Sequence, residues 1–155
     1  MQHDLLSFIK KVRELGYKIK LDTNGYLPQK LLELLEENLL DYIAMDIKAG
    51  TGNYSKVSGI PDFDLNSIIQ SISIIENSGV DYEFRTTVVK ELHSKQDFYE
   101  IKDMVSPHSS YYLQSFHDSG NILSHGLSCC DKPTLIEYLT ILQSRLPKAK
   151  LRGID

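Results

Sequence analysis

Cysteine is scarce in this 155-residue sequence: there are two, Cys129 and Cys130, and they are adjacent. That spacing gives neither a disulfide framework nor the pattern of a zinc or cluster site, so no metal site is read from them. No run of eighteen apolar residues occurs, which excludes a membrane-spanning helix as an expectation. The first twenty residues lack the basic start, apolar stretch and small-residue cleavage site of a secretory signal. A soluble cytoplasmic protein with no membrane partner is expected. Excess positive charge is missing too: 17 Lys+Arg stand against 21 Asp+Glu, a formal charge of -4, which argues against a nucleic-acid partner. Gly50, Gly52 and Gly59 do not link a strand directly to a helix and so form no dinucleotide fingerprint. With no Walker loop, Gly-x-Ser-x-Gly elbow or HExxH either, hydrolase and triphosphatase readings have no support.

What is present describes one domain over 1–155, because 41 % hydrophobic and 25 % charged residues suit a globular core. Asp4 is placed to cap a helix whose apolar residues run at helical spacing to Leu15 and stop at Gly16. A strand is expected at 17–21, then Asp22-Thr23-Asn24-Gly25, then a helix over 31–38 with Pro28 in its first turn. The near-continuous apolar stretch within 41–48 reads as a buried parallel strand. Residues 49–62 read as a loop with an ordered turn at 54–57, and Asp64 caps a helix ending at Gly79. A strand at 82–89 follows, then a helix from Ser94 to about Val105 with Ser94 and Asp97 as a capping box. The remaining expectations are a strand at 111–116, a polar loop at 119–132, a helix at 134–146 and a short strand at 148–152. Strict alternation with connections too long for hairpins indicates α/β architecture, a mainly parallel sheet of right-handed βα units.

In such sheets ligands bind at the carboxyl ends of the strands. Those ends hold the unusual polar residues: Asp22 and Asn24 after the first strand, Asp46 and Lys48 on the second, Arg85 on the third, His117 after the fourth. Each has an ordinary structural reading. Asp22 or Asn24 can cap a helix or make an Asx-turn, Asp46 and Lys48 can pair at the surface, Arg85 can sit in a structural ion pair, and His117 can be a satisfied structural histidine. Strand geometry weighs against reading them singly. Residues two apart point to one face, so Asp46 and Lys48 lie together at the end of an apolar strand. Burying those charges costs several kcal/mol per ion unless something pairs with them; a zwitterionic ligand bearing hydroxyls would. His3, His93, His108 and His125 show no chelating spacing and are expected in solvent or loops.

The segments Lys20-Leu21-Asp22-Thr23-Asn24-Gly25, Met45-Asp46-Ile47-Lys48, Phe84-Arg85-Thr86-Thr87-Val88-Val89 and Leu113-Gln114-Ser115-Phe116-His117, in that order, resemble radical S-adenosylmethionine activating enzymes. The likeness is to the pyruvate formate-lyase and anaerobic ribonucleoside-triphosphate reductase activating type, and it extends from Asp4 to Gly153. It implies an incomplete (β/α)6 half-barrel in which S-adenosylmethionine lies across the strand ends, with a [4Fe-4S] cluster that reduces it to methionine and a 5'-deoxyadenosyl radical. The implied partner is a glycyl-radical enzyme such as an anaerobic ribonucleoside-triphosphate reductase; the electron donor is not implied. Carried over by position, the resemblance puts Asp22 near the methionine amino group, Lys48 and Arg85 near its carboxylate, and Asp46 with His117 near the ribose hydroxyls.

Two family motifs are absent from these residues: Cys-x3-Cys-x2-Cys and Gly-Gly-Glu-Pro. Met1-Gln2-His3-Asp4 resembles the stretch that follows Gly-Gly-Glu-Pro, so the chain is expected to correspond to the C-terminal two-thirds of such an enzyme. It would carry no catalytic residue of its own and be inactive without the cluster-binding part. Cluster ligation needs three protein thiolates, which adjacent Cys129 and Cys130 cannot supply. The alternative expectation is a non-catalytic half-barrel that binds a nucleoside-like ligand or a protein partner. In either case the first strand would be an open edge through which chains pair.

Overall fold

The computed structural model describes residues 4–118, 120 and 126–154. Helices and strands alternate through them: α1 Leu5–Glu14, β1 Lys20–Thr23, α2 Pro28–Glu36, β2 Tyr42–Asp46, α3 Tyr54–Ser58, α4 Leu65–Glu76, β3 Asp81–Val88, α5 Lys95–Met104, β4 Tyr111–Ser115, α6 Lys132–Gln143 and β5 Lys150–Arg152. The five strands are parallel and lie in the order β1-β2-β3-β4-β5. This is the expected α/β architecture of βα units, and the sheet is open.

Right-handed crossovers between neighbours in a sequentially ordered sheet carry every connecting helix to the same face. The core shows which face. Ile43, Met45 and Ile47 of the β2 segment, Phe84 and Val88 of β3, and Tyr111 and Leu113 of β4 are buried with Leu31 and Leu34 of α2, Ile68, Ile72 and Ile75 of α4, Phe98 and Ile101 of α5, and Leu135 and Leu142 of α6. Alternation then turns Asp22, Ala44, Asp46, Glu83, Arg85, Tyr112, Gln114 and Arg152 to the opposite face. The sheet thus has an apolar, helix-covered side and a polar one.

Most local signals act as expected. The Asp64 carboxylate accepts from the Asn66 N–H at 3.1 Å and starts α4, and the Ser94 N–H donates to Asp97 at 2.8 Å in the capping box of α5. Asp4 precedes α1, but its side chain makes no cap; its carbonyl accepts from Phe8 N–H at 2.9 Å instead.

The first strand begins later than its alternation suggests and runs on through Asp22 and Thr23. The reason is Asp41: its carboxylate accepts from the Ile19 N–H at 2.7 Å, so a side chain takes the place of a ladder bond before pairing begins at Lys20 and Tyr42. Proline at the first helical position starts α2 at residue 28 rather than 31. Left-handed Asn38, with φ 54°, closes the turn after α2. Strand β2 stops at Asp46, leaving Lys48 just beyond the ladder, and β4 stops at Ser115, before Phe116 and His117. Asp131 caps α6 through the Thr134 N–H at 2.8 Å, which starts that helix earlier than expected. Val89 leaves the parallel ladder for an antiparallel bridge to Cys129. Met1, Gln2, His3, part of the 119–132 loop and His125 lie outside the described residues.

Candidate functional site

The four charged strand-end residues form one network on the polar face of the sheet. Register sets this up: Asp22 pairs with Ala44, and Asp46 pairs with Arg85, so one side chain from each of three neighbouring strands reaches the same place. The Arg85 guanidinium forms an ion pair through Nη1 with Asp22 at 2.8 Å and donates through Nε to Asp46 at 2.5 Å. Lys48 Nζ donates to the other oxygen of Asp46 at 3.1 Å. The Asp46 and Lys48 pairing and the Arg85 ion pair foreseen from the sequence are therefore both present, in the same network. Burial alone would raise the Asp46 carboxyl, but the hydrogen bond from Arg85 and the charge of Lys48 outweigh it and hold it below the usual carboxylate range. Burial would likewise weaken the Arg85 charge, and its bond to Asp46 overcomes that.

Lys48 stands between two cavities of about 250 Å³ each. One is lined by Asn24, Tyr26, Tyr54 and Phe63, the other by Asp46, Thr87, Val89 and Phe116. Asn24 makes the Asx-turn, its Oδ1 accepting from Tyr26 N–H at 3.1 Å, and still borders the first cavity. His117 is exposed beyond the end of β4, with no hydrogen bond or ion pair to the other five among the described residues. The structure therefore gathers Asp22, Asp46, Lys48 and Arg85, sets Asn24 beside them, and leaves His117 apart.

Backbone at the end of β2 is fixed from three sides. Thr86 Oγ1 donates to the Ile47 carbonyl at 2.7 Å and so must accept from the buried Tyr111 hydroxyl at 2.6 Å; burial raises that phenol. The Lys48 N–H donates to the Tyr54 hydroxyl at 3.3 Å, and burial pushes this phenol up to about 12. Asp97, almost fully buried, accepts from Gly50 N–H at 3.1 Å and Asn53 Nδ2 at 2.9 Å as well as from its own helix start. Burial alone would raise its pKa, yet these donors hold it low. A Cβ at Gly50 would lie 2.9 Å from the Asp97 Cα, so the close approach of loop to helix requires glycine.

Sequence reasoning missed a second cluster lower on the same face. Glu83 is held by both guanidinium nitrogens of Arg152 at 3.0 Å and by the Tyr42 hydroxyl at 3.2 Å, while Arg152 stacks over Tyr112 at 3.8 Å. Arg152 foremost holds the Glu83 carboxyl low. Glu83 lies two residues before Arg85, so period-2 reading of β3 carried the signal. His93 lies in a loop, as expected, but is buried there with both ring nitrogens engaged.

The donor set fits S-adenosylmethionine in kind, since cations and carboxylates alternate across a groove as a zwitterion with hydroxyls requires. It does not fit an iron–sulfur cluster. Cys130 is buried and its thiol is pushed up by that burial, Cys129 is exposed, and no group of three or more His, Cys, Asp or Glu side chains able to hold a metal occurs among the described residues. No helix among the described residues is long and apolar enough to cross a membrane.

Comparison with known proteins bears out the resemblance to radical S-adenosylmethionine activating enzymes. The chain is 30 % identical over 115 residues to a protein of Methanocaldococcus jannaschii provisionally named a glycyl-radical enzyme activating enzyme, covering 72 % of this chain and 48 % of the relative. It thus spans about half the length of the curated relative it matches. The fold matches a domain of pyruvate-formate lyase-activating enzyme from Bacteroides vulgatus at TM-score 0.75 and 14 % identity, over 96 % of this chain and 89 % of that one. It also matches a radical SAM methyltransferase from Sphaerobacter thermophilus at TM-score 0.73 and 14 % identity, over 90 % of this chain and 42 % of that one. No family model matches.

Proposed function

We propose that this chain is the C-terminal part of the partial barrel of a radical S-adenosylmethionine activating enzyme, whose task is to bind S-adenosylmethionine across the strand ends for activation of a glycyl-radical enzyme. The observation that carries this is the convergence of Asp22, Asp46, Lys48 and Arg85 from neighbouring strands and the turn beyond β2 onto one groove. Lys48, whose side chain remains 43 % exposed, faces the ligand carboxylate. Asp22, 52 % exposed, faces the ammonium, and Asp46 accepts from a ribose hydroxyl. Arg85, with only 18 % of its side chain exposed, orients the two aspartates instead of meeting the carboxylate itself. His117 is assigned to the ribose by its place after β4, which requires the segment beyond Ser115 to turn toward the groove.

In an intact enzyme of this family a [4Fe-4S] cluster, held by residues other than these, would supply the reducing electron. These 155 residues hold no cysteine set for it, and alone they are expected to be catalytically silent. The partner would be a glycyl-radical enzyme of the anaerobic ribonucleoside-triphosphate reductase kind. Titration calorimetry with S-adenosylmethionine tests the binding claim: heat from the unaltered chain and its loss in Asp46→Ala are expected. No heat from a folded sample of either protein would overturn it.

A further inference from the structure

We propose that His93 is a positioning residue for Lys48, acting through the Lys48 peptide; this rests on the assignment of Lys48 to the ligand carboxylate. His93 sits in the turn between β3 and α5, far from Lys48 in sequence, yet its Nε2 lies 2.9 Å from the Lys48 carbonyl. Its Nδ1 accepts from the Val89 N–H at 3.1 Å. The Lys48 carbonyl can only accept, so Nε2 carries a proton and donates to it, while Nδ1 also lies 3.2 Å from the Val89 carbonyl. The ring is buried and stacks on Phe98 at 6.1 Å between centroids.

The effect is a clamp on one peptide. Tyr54 accepts the N–H of Lys48, and His93 donates to its carbonyl. A residue just past the end of a strand has lost the ladder that would otherwise orient it, and its side chain follows its backbone. His93 restores that orientation from the next strand's exit. The Lys48 ammonium is thereby aimed along Asp46, between the two cavities. Imidazole suits this because it places a donor and an acceptor on separate atoms of one flat ring. Glutamine offers both on a flexible stem, and phenylalanine fills the space with neither.

The test compares His93→Phe, His93→Gln and Tyr54→Phe with the unaltered chain, each checked for fold by amide exchange in β3 and β4. Two readouts are taken: S-adenosylmethionine affinity by calorimetry, and the rate at which acetic anhydride modifies Lys48, followed by peptide mass spectrometry. Loss of the buried bond predicts about five- to tenfold weaker binding for His93→Phe, with altered Lys48 labelling. His93→Gln should recover most of both, and Tyr54→Phe should shift both in the same direction by less. Unchanged labelling and affinity in a folded His93→Phe chain would overturn the proposal, as would changed labelling with unchanged affinity. If the unaltered chain itself gives no heat, the ligand assignment fails while labelling still reports whether the clamp holds Lys48.

Discussion

Removing the Arg85 guanidinium while keeping its bulk, as in Arg85→Met, should destabilise the chain by about 2 kcal/mol at neutral pH. The figure follows from burial. Stripping one partner from a fully buried ion pair costs about 3–5 kcal/mol, and exposed pairs contribute about 0–1 kcal/mol. Here Arg85 is 18 % exposed, Asp46 30 % and Asp22 52 %, which places the network between those limits. For a chain of this length that corresponds to a fall in Tm of roughly 4–8 °C. The pH dependence is the sharper test. The Asp46 pKa is depressed in the folded chain, so its contribution is complete above the unfolded value of about 3.9 and is lost as pH falls through the lower folded value. The gap between Arg85→Met and the unaltered chain should therefore be full at pH 7, still substantial near pH 4, and shrink on further acidification. Urea unfolding at a series of pH values measures it. Equal stability at pH 7, or a gap that persists unchanged once the carboxylates are protonated, would refute the reasoning.

Gly25→Ala should cost about 2–4 kcal/mol in urea unfolding, combining a left-handed φ of 71° with a Cβ that would overlap the buried Met45 Cε; relief of the penalty in a Met45→Ala background would identify the clash as its source. Glu83→Ala should cost about 1–3 kcal/mol by the same assay, because Arg152 and the Tyr42 hydroxyl lose their shared acceptor. Its depressed carboxyl makes that difference greatest above pH ~4.3 and smaller in acid. The isolated chain should self-associate through β1, which is an edge of the sheet. The Ile19 carbonyl accepts from Tyr42, so alternation turns the Lys20 N–H outward, and Lys20→Pro should reduce association in sedimentation without breaking the β1–β2 ladder. A monodisperse monomer before substitution would count against the edge as a sticky surface.

The strand-end residues were legible because polar side chains closing apolar strands are conspicuous in a one-dimensional reading, and period two put Asp46 and Lys48 together. The parallel α/β character of the sheet followed from the alternation of elements, and the order of the strands did not. Partnership across strands was not legible: Glu83 and Arg152 are 69 positions apart, and only the register of two intervening pairings brings them face to face. His93 was hidden for a different reason. It holds a backbone carbonyl, which every residue has, so no residue type marks the partner. The late start of β1 had a similar cause, since Asp41 completes the bond of Ile19 from a position that reads only as a strand start.

Because each strand lies beside the next one in the chain, the sheet can be assembled by successive local additions, and no strand must wait for a distant one to be synthesised. Each new βα unit needs only the previous edge as a template. Such a chain tolerates being lengthened or shortened by whole units at either margin, since the pairings that remain are unaffected. For the groove this means that its three contributing strands form a consecutive block, so the polar network should survive folding experiments in which β5 is removed, while loss of β1 takes Asp22 away from Arg85 and opens it.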